Sequence, residues 1–226
     1  MKSALYSLIL LLRQGNDILR EQGVISFVNR TFSFLARPFF NYQVFYMYEE
    51  VLDNTEATEF TPRTQTVSLR IISTPEDVDE LIAEGFDFSH YRDTNQLKKR
   101  LNMGAVLFCA FVQRELAHIS LVAMSKNSQW DAGLAPFAVD YQSEAYVGAT
   151  ETNPKYRGVG ICPYVYSKIY QFLKEKGRSK AKFTTNKGNV AFQRAQDKLG
   201  SRVSAEGRLL KILLWKSWKE KPIRGV

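Results

Sequence analysis

Cysteine and histidine are scarce in this chain, which has only Cys109 and Cys162 and only His90 and His118. Two cysteines so far apart in a chain of 226 residues do not make a disulfide framework, so we expect a reducing, cytoplasmic compartment. Without clustered cysteines or histidines a zinc site is not expected, and we predict no bound metal.

The apolar run at the N terminus is short. Residues 4–12 read ALYSLILLL between Lys2 and Arg13. This run is too short to span a bilayer as a helix. It is not followed by the small-residue cleavage site that a signal peptide requires. We therefore interpret it as a helix of the mature protein.

Acidic residues are in the minority, 23 against 31 basic ones, which gives a net charge of +8. Such an excess suits nucleic acid, an anionic membrane surface or a polyanionic small molecule such as a nucleotide, and it also occurs in ordinary soluble proteins. The basic residues are scattered, and no basic run is interleaved with aromatic residues. We therefore predict no nucleic-acid partner.

Residues 1–52 have the pattern of an amphipathic helical arm. Apolar side chains recur at spacings of three and four, as at Ile25, Val28 and Phe32, and Pro38 should end the second helix. Two interpretations stay open. The arm either lies on an anionic membrane at the inner membrane face or packs on the main domain or on a second subunit, as in a homodimer; the apolar stripes favour packing.

The rest of the chain predicts one α/β domain. Residues 53–65 are polar and threonine-rich and read as a linker. From residue 66 onward the patterns give the order strand, helix, helix, three strands, helix, strand, helix, strand. Residues 209–218 are the last, strongly apolar strand. This order predicts a mixed sheet.

A glycine-containing turn connects a predicted strand to a predicted amphipathic helix near residue 157. Pro154 ends strand pairing, and Gly158 and Gly160 let the backbone approach a ligand closely. Free amides at the start of a helix, beside Arg157, make a site for an anion, most naturally a phosphate. The three-glycine dinucleotide pattern and the Walker A pattern are both absent from the sequence.

The segment NPKYRGVGI, residues 153–161, strongly resembles the acetyl-CoA pyrophosphate loop of the GNAT superfamily of N-acetyltransferases. The family pattern Gln/Arg-x-x-Gly-x-Gly/Ala here runs from Arg157 to Cys162, which replaces the final Gly or Ala. The segment NVAFQRAQDKLG, residues 189–200, resembles the family's helix that starts with Asn and ends in K-L-G-F. The resemblance covers roughly residues 66–218.

This resemblance implies an α/β fold with a GNAT-like mixed central sheet flanked by helices, here preceded by the amphipathic helical arm. It implies acetyl-CoA as co-substrate, lying in a V-shaped split between two central strands. The residues expected to bind it are Thr150, Thr152, Arg157, Gly158, Val159, Gly160, Ile161, Cys162 and Asn189. A looser resemblance, resting on the arm, the YRGVGI-C-P run and the chain length, is to GNAT-type proteins of bacterial cell-envelope polysaccharide synthesis; it suggests an amino-sugar or lipid-linked acceptor.

The catalytic residues are less clearly indicated. In the family an amine attacks the thioester directly, and we predict Glu151 as its general base. Strand alternation places Glu144 on the opposite face from Glu151. Gln196 stands where the family often has a tyrosine acid, so Tyr164, Tyr146 or water would have to protonate the thiolate.

The function that follows is transfer of an acetyl group from acetyl-CoA to a primary amine of a small molecule or amino sugar. The alternative is a non-catalytic CoA-binding or membrane-docking module, which the missing tyrosine and the amphipathic arm favour. A nucleophilic Cys162 is a weaker idea than a small residue filling the loop. His118 lies in the apolar run LAHISLVAM, where a packed histidine is favoured over a substrate-facing one.

Overall fold

The computed structural model describes residues 40–52, 60–64, 66–91, 93–129, 138–213 and 215–223. The chain divides into a smaller unit, residues 1–43 and 209–217, and a larger unit, residues 44–208 and 218–226. In the smaller unit the described residues belong to β-strands and the turn that joins two of them. The described helices all lie in the larger unit. The predicted helices of residues 1–39 lie outside the described residues.

The described residues form eight strands and four α-helices. The strands are β1 (Phe40–Val51), β2 (Val67–Ile72), β3 (Ala105–Val112), β4 (Glu115–Ala123), β5 (Glu144–Thr152), β6 (Lys180–Asn186), β7 (Val203–Ile212) and β8 (Trp215–Pro222). The helices are α1 (Pro75–Ala83), α2 (Thr94–Asn102), α3 (Ile161–Glu175) and α4 (Val190–Leu199). Within the described ranges, no helix has the length and apolar character needed to cross a membrane.

All eight strands belong to one mixed sheet in the order β2-β3-β4-β5-β6-β1-β7-β8. The pairs β2–β3, β3–β4, β4–β5 and β1–β6 are antiparallel, and β5–β6 is parallel. The parallel pairing extends only from Glu144–Lys180 to Val147–Phe183, although β5 continues to Thr152 and β6 to Asn186. The two central strands therefore separate beyond Val147, as the predicted V-shaped split requires.

Apolar side chains fill both faces of the sheet. On one face Val165 and Ile169 of α3 form a first hydrophobic cluster with Phe108 and Phe183 of the strands. On the other face the buried residues of α1 and α2, such as Leu81 and Leu97, form a second cluster. The predicted mixed sheet flanked by helices is confirmed.

Strand β1 corrects the prediction that the helical arm extends to residue 52. It pairs antiparallel with β6 from Phe45–Asn186 to Val51–Lys180, so it is part of the central sheet. Its sequence, FNYQVFYMYEEV, is rich in aromatic and β-branched residues, which favour strands. The helical spacing found upstream of Pro38 therefore does not continue beyond it.

The C-terminal region differs from the single predicted strand at residues 209–218. The strands β7 and β8 are joined at Leu213, whose φ of +54° is left-handed. Such a turn usually carries Gly, Asn or Asp. Because the chain has none of these there, the sequence contained no turn signal and the two strands read as one.

We expect Gly207→Ala to destabilise the larger unit. Gly207 is buried, and a Cβ there would lie 2.3 Å from Cη2 of Trp218. The indole is held by a 2.6 Å hydrogen bond to Glu220 and contacts the ring of Phe45. Overpacking of this kind costs about 1–3 kcal/mol, measurable by chemical denaturation. Trp218→Leu in the same background should recover part of the loss, and unchanged stability of Gly207→Ala would contradict this packing.

Candidate active site

The turn after β5 is held open by two left-handed glycines. A short 3-10 helix, Pro154–Tyr156, follows the strand, and Gly158 and Gly160 then adopt φ values of +81° and +89°. A Cβ would find space at both positions, with Pro62 Cα at 3.8 Å the nearest atom to that of Gly160. The glycines are therefore required by the backbone conformation.

Gly160 is the N-cap of α3. Within the described part of the chain, no side chain caps this helix. The first amides of a helix have no partner within the helix itself, and they lie at the positive end of its dipole. The start of α3 is therefore suited to bind an anion.

Glu115, at the start of β4, anchors the turn. Its carboxylate accepts hydrogen bonds from Tyr156 Oη (2.6 Å), from Asn153 Nδ2 (3.3 Å) and from the ammonium of Lys155. The Lys155 contact, followed by that of Tyr156, lowers the pKa of Glu115. Arg157 Nε donates to the carbonyl oxygen of Thr152 at 3.1 Å. These contacts link the loop to the ends of two strands.

A cavity of about 510 Å³ lies between the end of β5, this loop and the helices α3 and α4. Its wall includes eight of the nine residues predicted to bind the co-substrate: Thr150, Thr152, Arg157, Gly158, Gly160, Ile161, Cys162 and Asn189. Val159 is not among the lining residues, and it packs against the first hydrophobic cluster. The two sequence motifs therefore identified residues that line one and the same cavity.

Helix α4 supplies lining residues that the sequence did not single out. Asn189 caps the helix by accepting from the amide of Phe192 at 3.2 Å, as its position predicted. Phe192, Arg194 and Lys198 line the cavity, as do Ala191, Ala195 and, from the loop, Tyr156. With Arg157, the wall carries three cationic side chains and one carboxylate, Glu151. The i, i+4 spacing of Arg194 and Lys198 after a capping Asn was the available signal.

Scans of the sequence against family models and against curated proteins find no match. Solved structures do match. A Drosophila protein aligns at 10% identity over 82% of this chain and 57% of its own, with a TM-score of 0.50. A tandem GNAT protein from the clavulanic acid biosynthesis pathway aligns at 12% identity over 80% of this chain and 53% of its own, with a TM-score of 0.51. The chain has the GNAT fold. It corresponds to just over half the length of each of these two proteins.

In this GNAT fold Glu151 lies between two cavities. A second cavity, of about 400 Å³, is lined by His90, Tyr91, Asp93, Gln96 and Glu151. His90 Nε2 lies 3.3 Å from Glu151 Oε1. The four residues that share this cavity with Glu151 come from the segment before α2 and from its first turn. Sequence reasoning missed them, because only the tertiary fold brings them to β5.

A bulge in β5 changes which side chains share a face. The register of β4 and β5 shifts between Ile119 and Leu121, and Ala149 has a φ of +47°. Tyr146 and Ala149, three residues apart, both pack with the second cluster. Glu144 precedes Tyr146 by two residues and Glu151 follows Ala149 by two, so both point to that face. The expectation that alternation separates these two glutamates is wrong.

The predicted acids Tyr146 and Tyr164 are not among the residues that line either cavity. Tyr146 is buried, with its hydroxyl 3.3 Å from Thr184 Oγ1. Tyr164 packs against the first cluster. Gln196 is fully buried, and its Oε1 accepts a hydrogen bond from Tyr170 at 3.3 Å. Glu151 is therefore the predicted catalytic residue that the structure places at the cavities.

We expect Cys162 to be unreactive in the folded protein. Burial raises the pKa of its thiol to about 12. At pH 8 only about one thiol in ten thousand would then be ionised, and the thiolate is the reactive form. Iodoacetamide followed by mass spectrometry should show negligible alkylation until denaturant is added, when both cysteines react. Rapid labelling of Cys162 in the folded protein would contradict this expectation and support Cys162 as a nucleophile.

Proposed function

We propose that this protein is an N-acyltransferase that moves an acetyl group from acetyl-CoA to a primary amine of a small molecule or amino sugar. The observation that carries the proposal is the cavity at the end of β5, beyond the point where this strand separates from β6. There three cationic side chains meet the start of α3, which no described side chain caps. In the GNAT fold this arrangement suits a polyanionic thioester. The bound acetyl-CoA would supply the activated acyl group.

Coenzyme A carries several phosphate charges, and the cavity offers matched partners. The amides from Gly158 to Cys162, together with Arg157, would hold the pyrophosphate at the helix start. Arg194 and Lys198, one turn apart on α4, add positive charge to the same wall. Electrostatic attraction of this kind both binds an anion and speeds its association.

The separation of the central strands leaves β5 available to hold the rest of the co-substrate. Beyond Val147 the strand has no pairing with β6. Backbone amides of residues 150–152 on this side would bind the pantetheine arm and polarise the thioester carbonyl. Preorganised donors aimed at developing negative charge are a large source of rate enhancement.

Glu151 would act as the general base. An alkyl amine is protonated at neutral pH and must lose a proton before it attacks. Glu151 belongs to both cavity walls, so an amine entering through the second cavity meets the carboxylate beside the thioester. Asp93 and Glu151 attract a cation, while Tyr91 and Gln96 provide hydrogen-bonding groups suited to hydroxyls, as on an amino sugar.

Thiol release from acetyl-CoA tests this function. The protein is incubated with acetyl-CoA and a panel of primary amines that includes amino sugars, and free thiol is compared with reactions lacking amine. Amine-dependent release, with the acetylated product seen by mass spectrometry, is the expected result. CoA binding without turnover on any amine would instead favour a non-catalytic CoA-binding module, the alternative supported by the buried Gln196 at the family's tyrosine position.

Three further predictions rest on the sequence alone: an acceptor of the cell envelope, a homodimer, and contact of the N-terminal arm with a membrane. Amino sugars are therefore a priority in the amine panel, and lipid-linked amines the next extension. Among the described residues, no three potential metal-ligating side chains come together.

A further inference from the structure

A buried chain of hydrogen bonds joins two threonines of the cavity wall through His118. Thr152 Oγ1 lies 2.7 Å from His118 Nδ1, and His118 Nε2 lies 2.9 Å from Ser120 Oγ. Ser120 Oγ lies 3.1 Å from Thr150 Oγ1, which in turn lies 2.9 Å from the hydroxyl of Tyr166. His118 and Ser120 are buried, whereas Thr150 and Thr152 line the CoA cavity.

The position of the imidazole proton gives this hydrogen-bond chain two arrangements. Burial lowers the pKa of His118 to about 3, so the ring is neutral at working pH and carries one N–H. If Nε2 carries the proton, Thr152 donates to Nδ1, Ser120 and Tyr166 both donate to Thr150, and the Thr150 proton is free for the cavity. If Nδ1 carries it, the three bonds between Thr152 and Thr150 reverse and the Thr152 proton is free instead. Each tautomer of the ring thus offers one threonine proton to the cavity.

This hydrogen-bond chain ends at the residues where acyl transfer would take place. Thr150 and Thr152 flank Glu151, the residue that lies in both cavity walls. In the transfer reaction the amine nitrogen must lose a proton once it has bonded to the acyl carbon, and the departing sulfur must gain one. None of the tyrosines predicted from sequence lies at the cavity to supply it.

We propose that His118 and Ser120 relay a proton between the Thr152 and Thr150 hydroxyls, so that the departing thiolate is protonated by Thr150. Thr152 takes up the second proton of the amine, which the nitrogen releases after it has bonded to the acyl carbon; the first has gone to Glu151 before the attack. This inference rests on the proposed acyl transfer. As the C–S bond breaks, the Thr150 proton moves to sulfur, the Ser120 proton to Thr150, the Nε2 proton to Ser120, the Thr152 proton to Nδ1, and the amine proton to Thr152. One proton enters and one leaves, with no net charge on the chain. The ring ends as the other tautomer, and proton exchange in the reverse direction with cavity water restores it.

His118→Gln tests the relay, because an amide keeps one donor and one acceptor but does not pass a proton on. We expect kcat to fall by about 100-fold, the scale of general acid–base catalysis. The dissociation constant for CoA should change less than about threefold, since no partner of the phosphates is altered. The wild type should show a solvent deuterium isotope effect with a curved dependence on deuterium content, from several protons in motion, and the variant should lose the curvature.

Two further variants separate relay from packing. Ser120→Ala interrupts the chain at its centre without altering the cavity wall and should reproduce both effects. Tyr170→Phe removes a hydroxyl that is equally buried on α3 but hydrogen-bonded to Gln196 and Ser201, outside the chain. It should keep the wild-type kcat. The melting temperature of each variant, measured by thermal unfolding, shows whether it is folded at the assay temperature.

The outcomes are distinct. Wild-type kcat in His118→Gln and Ser120→Ala overturns the relay and leaves acyl transfer standing. A lower kcat with an unchanged isotope effect assigns His118 a packing role and also overturns it. If the wild type releases no thiol with any amine, the proposed function fails and the relay fails with it.

Discussion

Gly160→Asp should weaken CoA binding by at least about 100-fold, which corresponds to about 2.8 kcal/mol. Aspartate is a favoured N-cap residue, so its carboxylate would accept hydrogen bonds from the same amides that the pyrophosphate needs. It would also place a negative charge directly beside the bound phosphates, which costs several kcal/mol when the charges are buried together. The left-handed φ of +89° adds backbone strain. Isothermal titration with CoA measures the change.

The same helix provides the matched control. Gly177 follows the C terminus of α3, has a similar left-handed φ of +71°, and a Cβ there meets no atom within 4 Å. Gly177→Asp therefore carries comparable strain and the same charge but lies away from the cavity wall, and it should bind CoA as the wild type does. If the two variants lost affinity equally, strain in α3 would explain the loss. If neither lost affinity, the phosphate site would lie elsewhere and the proposed function would lose its basis.

Glu151→Gln should lower kcat by about 100- to 1,000-fold while leaving CoA affinity within about threefold of the wild type. Glutamine preserves the size of the side chain but has no basic oxygen to accept the amine proton. The loss should shrink as pH rises toward the pKa of the acceptor amine, because more of the amine is then already neutral. Steady-state thiol release over a pH series, together with CoA titration, measures both quantities.

Glu80→Gln provides the comparison for this experiment. It removes a carboxylate from the exposed side of α1, where it lines neither cavity. It should retain the wild-type kcat. Full activity of Glu151→Gln would exclude this carboxylate as the general base. His90, whose Nε2 lies 3.3 Å from Glu151 Oε1, would then be the next candidate.

The parts of the site that sequence could predict are those in which function depends on consecutive residues. The loop from Arg157 to Cys162 and the cap Asn189 are local, since glycine conformation and helix capping are decided within a few residues. The second cavity was not predictable, because only the tertiary fold brings His90 and Asp93 to the same cavity wall as Glu151. The relation between Glu144 and Glu151 was predicted wrongly because a single residue, Ala149, interrupts the alternation. Gly148 beside it, an isolated glycine inside a strand, was the available signal for a bulge.

The fold shows the same division between local and long-range information. Alternation and helical spacing located the elements from β2 to α4, whose boundaries carry signals such as the Thr74 cap of α1 and Gly177 after α3. Strand β1 lies far in sequence from its partner β6, and the helical prediction was extended over it from the spacing upstream of Pro38. Its pairing depends on neighbours that are more than a hundred residues away along the chain.

The place of β1 in the sheet has a consequence for how the protein is made. Of the described strands β1 is synthesised first, but its neighbours in the sheet are β6 and β7, which begin only at Lys180 and Val203. During translation the meander from β2 to β5 can assemble from adjacent segments while β1 still lacks both partners. Closure of the sheet therefore waits until β6 and β7 have left the ribosome. Such long-range pairing is the slow step expected of a high-contact-order fold.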